Sequence, residues 1–144
     1  MKLVDLNLLL YAINRDAPLH VMARKWWEEL LSANEPVALA WPVILGFIRI
    51  STNARILPRP LSVQQAMSLM DEWLHHPPVT TLAPTENHWQ IFSEIIATVG
   101  RAGNLTTDAH LAALAVEHGA TLCSTDNDFG RFPLVRWINP LCEG

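Results

Sequence analysis

The chain has 144 residues, the usual size of one domain, so residues 1–144 are expected to form a single domain around one core. Half of the residues are hydrophobic and 17% are charged, yet no apolar stretch reaches the roughly 18 residues of a membrane helix, which argues against a membrane protein. Ten Lys and Arg against 14 Asp and Glu give a net charge of -4, which excludes a surface coated in base. The two cysteines, Cys123 and Cys142, lack Cys-x-x-Cys or Cys/His spacing, so no disulfide framework and no zinc knuckle is expected. The opening MKLVDLNLLL is interrupted by Asp5 and Asn7 and is not read as a signal peptide, which makes the cytoplasm the expected location.

Lys2 to Leu6 reads as a strand that passes at once into a short helix over Leu8 to Ile13. From Leu19 to Ala33, Met22, Ala23, Trp26, Trp27, Leu30 and Leu31 recur at helical spacing and predict an amphipathic helix that Pro36 stops. Val37 to Ala40 is a second strand, and Trp41 to Ile50 a buried helix opened by Pro42. Ser62 caps the next helix, with Ala66, Leu69, Met70 and Trp73 inward, and Pro77 and Pro78 end it. Val79 to Leu82 is a third strand, and Glu86 to Val99 a helix burying Trp89, Phe92, Ile95, Ile96 and Val99. Thr106 or Thr107 caps a helix closed by Gly119; Ala120 to Ser124 and Val135 to Ile138 are the last strands. Strands separated by helical crossovers predict a three-layer α/β fold whose central parallel sheet of four to five strands is flanked by helices.

Sites in such sheets form beyond the carboxyl ends of the strands, and there the polar residues are nearly all aspartate. Asp5 ends the first strand, Asp126 and Asp128 follow the fourth, and Asp108 lies in the first turn of the helix before it. Taken singly, each is an ordinary cap or turn residue. Four acids at one sheet edge have no structural purpose, and they repel unless cations or protons are shared among them. Oxygen donors without thiolates or a His-rich spacing select Mg²⁺ or Mn²⁺.

Three ordered segments then resemble a known family: Val4-Asp5-Leu6-Asn7-Leu8-Leu9-Leu10-Tyr11-Ala12, Asn104-Leu105-Thr106-Thr107-Asp108-Ala109-His110-Leu111-Ala112, and Ser124-Thr125-Asp126-Asn127-Asp128-Phe129 with Arg131-Phe132 and Arg136-Trp137. Together they resemble PIN-domain ribonucleases of the VapC toxin type. The resemblance implies a PIN fold, Mg²⁺- or Mn²⁺-dependent endoribonuclease activity leaving 5′-phosphate and 3′-hydroxyl ends, a cognate antitoxin protein and a homodimer. It places the family's first acid on Asp5, its third on Asp108 and its last pair on Asp126 and Asp128. One position departs: Leu45-Gly46-Phe47-Ile48-Arg49 puts Gly46 where the family usually carries a glutamate.

On this reading Asp5, Asp108 and Asp126 hold the metal, Asp128 is a ligand or orients the attacking water, and RNA is hydrolysed in line by metal-activated water. Asn7 is expected to orient Asp5, and Thr107 and Thr125 to hydrogen-bond neighbouring carboxylates. His110 is two residues from Asp108, off its helical face, and is expected to pack or touch RNA rather than ligate; His75 and His76 suit a helix C-terminus. Arg49, Arg55 and Arg59 lie in an acid-free stretch between Trp41 and Met70 and are candidates for RNA phosphates. Trp26, Trp27 and Trp73 are assigned to packing, or to a dimer or antitoxin groove. Two readings compete with the ribonuclease. One is a catalytically weakened PIN-fold RNA-binding or interaction protein, suggested by Gly46; the other is a phosphoaspartate receiver, disfavoured because Asp5 stands alone after the first strand and no late lysine follows. The four site aspartates equal the whole excess of 14 acids over 10 bases, so the net charge itself describes the proposed site.

Overall fold

A computed structural model describes residues 1–142. Five strands, β1 (Lys2–Val4), β2 (Val37–Ala40), β3 (Val79–Leu82), β4 (Thr121–Cys123) and β5 (Arg136–Ile138), form one all-parallel sheet in the order β3-β2-β1-β4-β5. Six helices supply the crossovers: α1 (Leu6–Ile13), α2 (His20–Ser32), α3 (Trp41–Ser51), α4 (Val63–His75), α5 (His88–Val99) and α6 (Thr106–His118). The α/β alternation and the parallel sheet expected from the sequence are both present.

β1 is the centre of the sheet, and its residues Leu3 and Val4 are wholly buried, as are Leu39 of β2 and Leu122 of β4. A strand covered on both faces has to be continuously apolar, which is what these short runs are. Beneath β2, Phe47 of α3 meets Trp73 of α4 at a ring separation of 5.0 Å, and Trp73 meets Trp27 of α2 edge-on at 5.5 Å. This locks three helices together and accounts for Trp27 and Trp73 as packing residues. α6 buries Ala109 and Leu111 through Ala115, its alanines permitting close approach to its neighbours. Ser62 caps α4 in a reciprocal capping box with Gln65, and Gly119 closes α6 in the left-handed conformation at φ 65°.

Two local expectations are corrected. α6 is not capped by a threonine: a single 3₁₀ turn over Gly103–Leu105 leads into it, and Leu105 occupies the cap position without a side-chain bond. Trp89 is not inward but 75% exposed, because α5 buries only Ile95 fully and Trp89 lies beyond the edge of its covered face. The two cysteines are free, and burial pushes the Cys123 thiol up to about 12, leaving it inert as a nucleophile. Among the described residues no helix is long and apolar enough to cross a membrane.

Candidate active site at the carboxyl edge of the sheet

β1 ends at Val4, and the next residue, Asp5, turns the chain directly into α1 as its N-cap. Its carboxylate accepts the Leu6 amide at 2.8 Å and the Ser124 hydroxyl at 2.6 Å, and only 6% of the residue is exposed. Burial raises the Asp5 carboxyl above its ordinary value; the bonds from Ser124 and Leu6 oppose this, and the charge of Asp126 adds to it. A buried acid held by two donors has one orientation, so Asp5 is a fixed point of the edge.

Ser124 follows β4 and is wholly buried. Its hydroxyl donates to Asp5 and accepts the Asp126 amide at 3.0 Å, while Asp126 accepts the Asp128 amide at 2.9 Å at the head of a 3₁₀ turn over Asn127–Arg131. These short-range bonds set the last two acids beside the first. Asp108, in the first turn of α6, completes the group, with its carboxyl pushed up to about 7. Burial is the largest cause, followed by the charges of Asp5, Asp126 and Asp128. The helix dipole at this position favours the ionised form by about 0.3–1 kcal/mol. It is outweighed, so repulsion and burial decide the protonation of this residue.

The four predicted aspartates therefore share one electrostatic field. The donors are all carboxylate oxygens, the set that suits a hard divalent cation. Among the described residues no three acidic, histidine or cysteine side chains stand at metal-coordinating spacing. Mg²⁺ commonly keeps several waters and takes one or two protein carboxylates, so the residues present fit such an ion. Asn7 is placed differently from expectation: its amide donates to the Thr125 hydroxyl at 3.5 Å, and Asp5 is oriented by Ser124 instead. Thr107 is exposed on the first turn of α6, beside Asp108.

Gly46 is buried on α3, where a Cβ would come within 2.7 Å of Leu6 Cδ2. The leucine that follows Asp5 fills the space a side chain at 46 would need. Alanine there gains helix propensity of about 0.5–1 kcal/mol and meets only the end of a flexible side chain. Gly46→Ala is accordingly expected to unfold within about 1 kcal/mol of the wild type in urea, whereas a glutamate has to displace Leu6.

Of the three candidate arginines, Arg49 is exposed in the last turn of α3 and Arg55 is exposed in the loop after it. Arg59 forms a 3.1 Å ion pair with Asp16 and lines a groove of about 650 Å³ between α1, α2 and α4, together with Arg15, His20, Trp27 and Trp73. The Trp27 indole N–H is buried within the protein and makes no hydrogen bond among the described residues.

A second polar group, not foreseen from the sequence, adjoins the acids. Glu117 near the end of α6 accepts the Thr85 amide and hydroxyl, both at 2.7 Å, and pairs with His88 Nδ1; His88 Nε2 in turn bonds His110 Nδ1 at 2.9 Å. Burial pushes the Glu117 carboxyl upward, but the Thr85 and His88 bonds outweigh it and hold it below the ordinary range. His110 is lowered, chiefly by burial and then by His88, so it is neutral near pH 7. The partners are 22 and 29 residues apart in sequence, too far for any periodicity to reveal.

A family model for the PIN domain matches residues 2–134. The chain is 43% identical over 140 residues to ribonuclease VapC37 of Mycobacterium tuberculosis, covering 97% of each. Among solved structures it is similar to VapBC2 from Rickettsia felis bound to a promoter DNA fragment, with a TM-score of 0.70 at 20% identity over 96% of this chain and 97% of that one. It is also similar to Mycobacterium tuberculosis VapC20, a sarcin-ricin loop cleaving toxin, with a TM-score of 0.66 at 18% identity over 94% and 99%.

Proposed function

Since the chain belongs to the PIN-domain family and is a VapC-type ribonuclease, we propose that its four aspartates hold Mg²⁺ or Mn²⁺ and hydrolyse RNA phosphodiester bonds within the strand. The observation that supports this most is Asp108, whose carboxyl is pushed up to about 7 by burial and then by the charges of Asp5, Asp126 and Asp128. Carboxylates crowded at this cost to one another are a site prepared for positive charge.

Asp5, Asp108 and Asp126 would hold the cation through one or two direct carboxylate contacts and otherwise through its bound waters, with Asp128 completing the set or orienting the water that attacks phosphorus. When bound, the cation supplies neutralisation of the phosphate charge and a lower pKa for the attacking water. Asp108 would have to be ionised to hold a cation, so affinity for Mg²⁺ or Mn²⁺ should rise with pH through about 7. Ser124 keeps Asp5 and Asp126 in register, and Asn7 with Thr125 ties α1 to the β4 loop. Arg49 and Arg55 offer exposed cations for RNA phosphates; Arg59 can add a third on release from Asp16.

Another solved structure of similar fold is a toxin–antitoxin complex from Klebsiella pneumoniae, and on that analogy the partner of this chain is an antitoxin protein. The groove between α1, α2 and α4 has room for a segment of such a partner. A second copy of the chain and a cytoplasmic setting belong to the same reading, with residues 1–144 as one PIN domain. A PIN-fold binding protein without chemistry is not favoured, because the relative matched over 97% of both chains is a ribonuclease.

The test is cleavage of a structured RNA by the purified chain freed of any partner. With Mg²⁺ or Mn²⁺ the RNA is expected to be cut, excess EDTA to stop it and added Mn²⁺ to restore it. Cutting that continues unchanged in EDTA overturns the metal-dependent reading.

A further inference from the structure

A small apolar pocket of about 360 Å³ opens at the start of α6, lined by Pro42, His88, Trp89, Phe92, Thr106, Thr107 and His110. It shares the first turn of α6 with the acidic group, for Thr106 and Thr107 line the pocket and Asp108 follows them on that turn. We propose that this pocket receives one unpaired nucleobase of the RNA, and that the His88–His110 pair reads its edge.

Three observations carry the assignment, which rests on the ribonuclease reading above. The first is the aromatic wall. His88 stacks on Phe92 with ring centroids 6.3 Å apart and planes 21° from parallel, and Phe92 adjoins Trp89 at 5.8 Å and 32°. A large indole left 75% exposed next to a hydrolytic site has the face that a base stacks on. The second is the polar edge. Thr85 fixes Glu117, Glu117 fixes the His88 ring, His88 occupies Nδ1 of His110, and only Nε2 of His110 is left to bond a ligand. A half-buried chain of three polar groups is costly to assemble in an apolar setting, and it produces one imidazole nitrogen of fixed direction. Beside it, the Thr106 and Thr107 hydroxyls can donate or accept. The third is size: the pocket has room for a planar base on an aromatic face, not for a helix or a strand.

An unpaired base is recognised in this way by stacking for affinity and by hydrogen bonds at its edge for identity. The backbone of that nucleotide then runs past Asp108, so the pocket chooses which phosphodiester reaches the acids. Trp89 acts as the stacking platform, and His110, with His88 behind it, as the determinant of base preference.

The experiment is NMR titration of the metal-free protein in EDTA with each of the four nucleoside 5′-monophosphates, following the Trp89 indole and the His88 and His110 imidazoles. At least one nucleotide is expected to shift all three. Trp89→Ala is expected to weaken it about tenfold or more. His88→Phe, which keeps the ring and removes the relay, is expected to change the rank order of the four nucleotides. Nucleotide binding that Trp89→Ala loosens, in a protein that cuts no RNA, supports the pocket and sinks the hydrolase reading. RNA cleavage with no nucleotide shift at Trp89 overturns the pocket and leaves the hydrolase. A Trp89→Ala variant that binds nucleotides as before, but sediments as a monomer where the wild type is a dimer, overturns it in favour of a contact between copies.

Discussion

Asp108→Asn is expected to abolish RNA cleavage and, in the same protein, to raise stability at alkaline pH when no metal is present. The loss of activity should be at least about a thousandfold, because the substitution removes a charge from the group that would hold the cation at the transition state. The gain in stability follows from linkage. In the unfolded chain Asp108 ionises at its ordinary 3.8, whereas in the folded protein it holds its proton up to about 7. The stability contributed by the neutral acid is complete below about pH 4 and lost as the pH rises through 7. Discounted for the solvent that reaches a half-buried group, the loss is about 2 kcal/mol. Asparagine does not titrate and cannot lose it. In urea unfolding with EDTA, the two proteins should coincide near pH 4, and the variant should be more stable by about 1–2 kcal/mol at pH 8. Millimolar Mn²⁺ should reverse the order at pH 8, since binding stabilises only the protein that retains the acid. Identical pH slopes for the two proteins would refute the assignment.

Ser124→Ala should damage both fold and activity although Ser124 touches no substrate in the proposed reaction. Its hydroxyl is the sole side-chain donor to Asp5 among the described residues, and the acceptor of the Asp126 amide. Alanine leaves a buried carboxylate oxygen and a backbone N–H without partners, at a cost of about 2–3 kcal/mol. With Asp5 free to turn, cleavage should fall about 10–100-fold, mainly through weaker metal binding. Metal titration of the cleavage rate separates this from simple loss of folded protein: the half-saturating Mn²⁺ concentration has to rise. Ser124→Thr keeps the hydroxyl and should keep the metal dependence, while an added methyl in a fully buried site costs about 1 kcal/mol. An unchanged half-saturation in Ser124→Ala would show that Asp5 needs no such support.

The two kinds of residue differ in how far the chain alone discloses them. Strands β2 and β3 begin and end where their β-compatible runs and neighbouring prolines place them, and Asp5, Asp126 and Asp128 stand out as acids after strand ends, with Asp108 as an acid opening a helix. Ser124 is hidden by its ordinariness: before Thr125 and Asp126 it reads as a turn residue, and only the pairing of β1 with β4 brings it to Asp5. Trp89 falls at the same helical spacing as Phe92 and Ile96, and periodicity alone puts it inside. What periodicity lacks is the edge of the covering layer, which α6 and the sheet define. The Glu117–His88–His110 chain joins separate elements and has no local trace, and the fit of Leu6 into the space at Gly46 is a property of two helices meeting.

The strand order has a consequence for when the site is complete. β1 is synthesised first, yet it lies between β2 and β4, and the hydroxyl that fixes Asp5 arrives 119 residues later. A nascent chain that has emerged as far as α6 carries Asp5 and Asp108 but neither Ser124 nor the final pair of acids. Pairing across such a separation is also slow relative to local helix formation. The four acids and the hydroxyl that fixes Asp5 therefore come together only when the last two strands insert, so the complete site is among the last features of the fold to form.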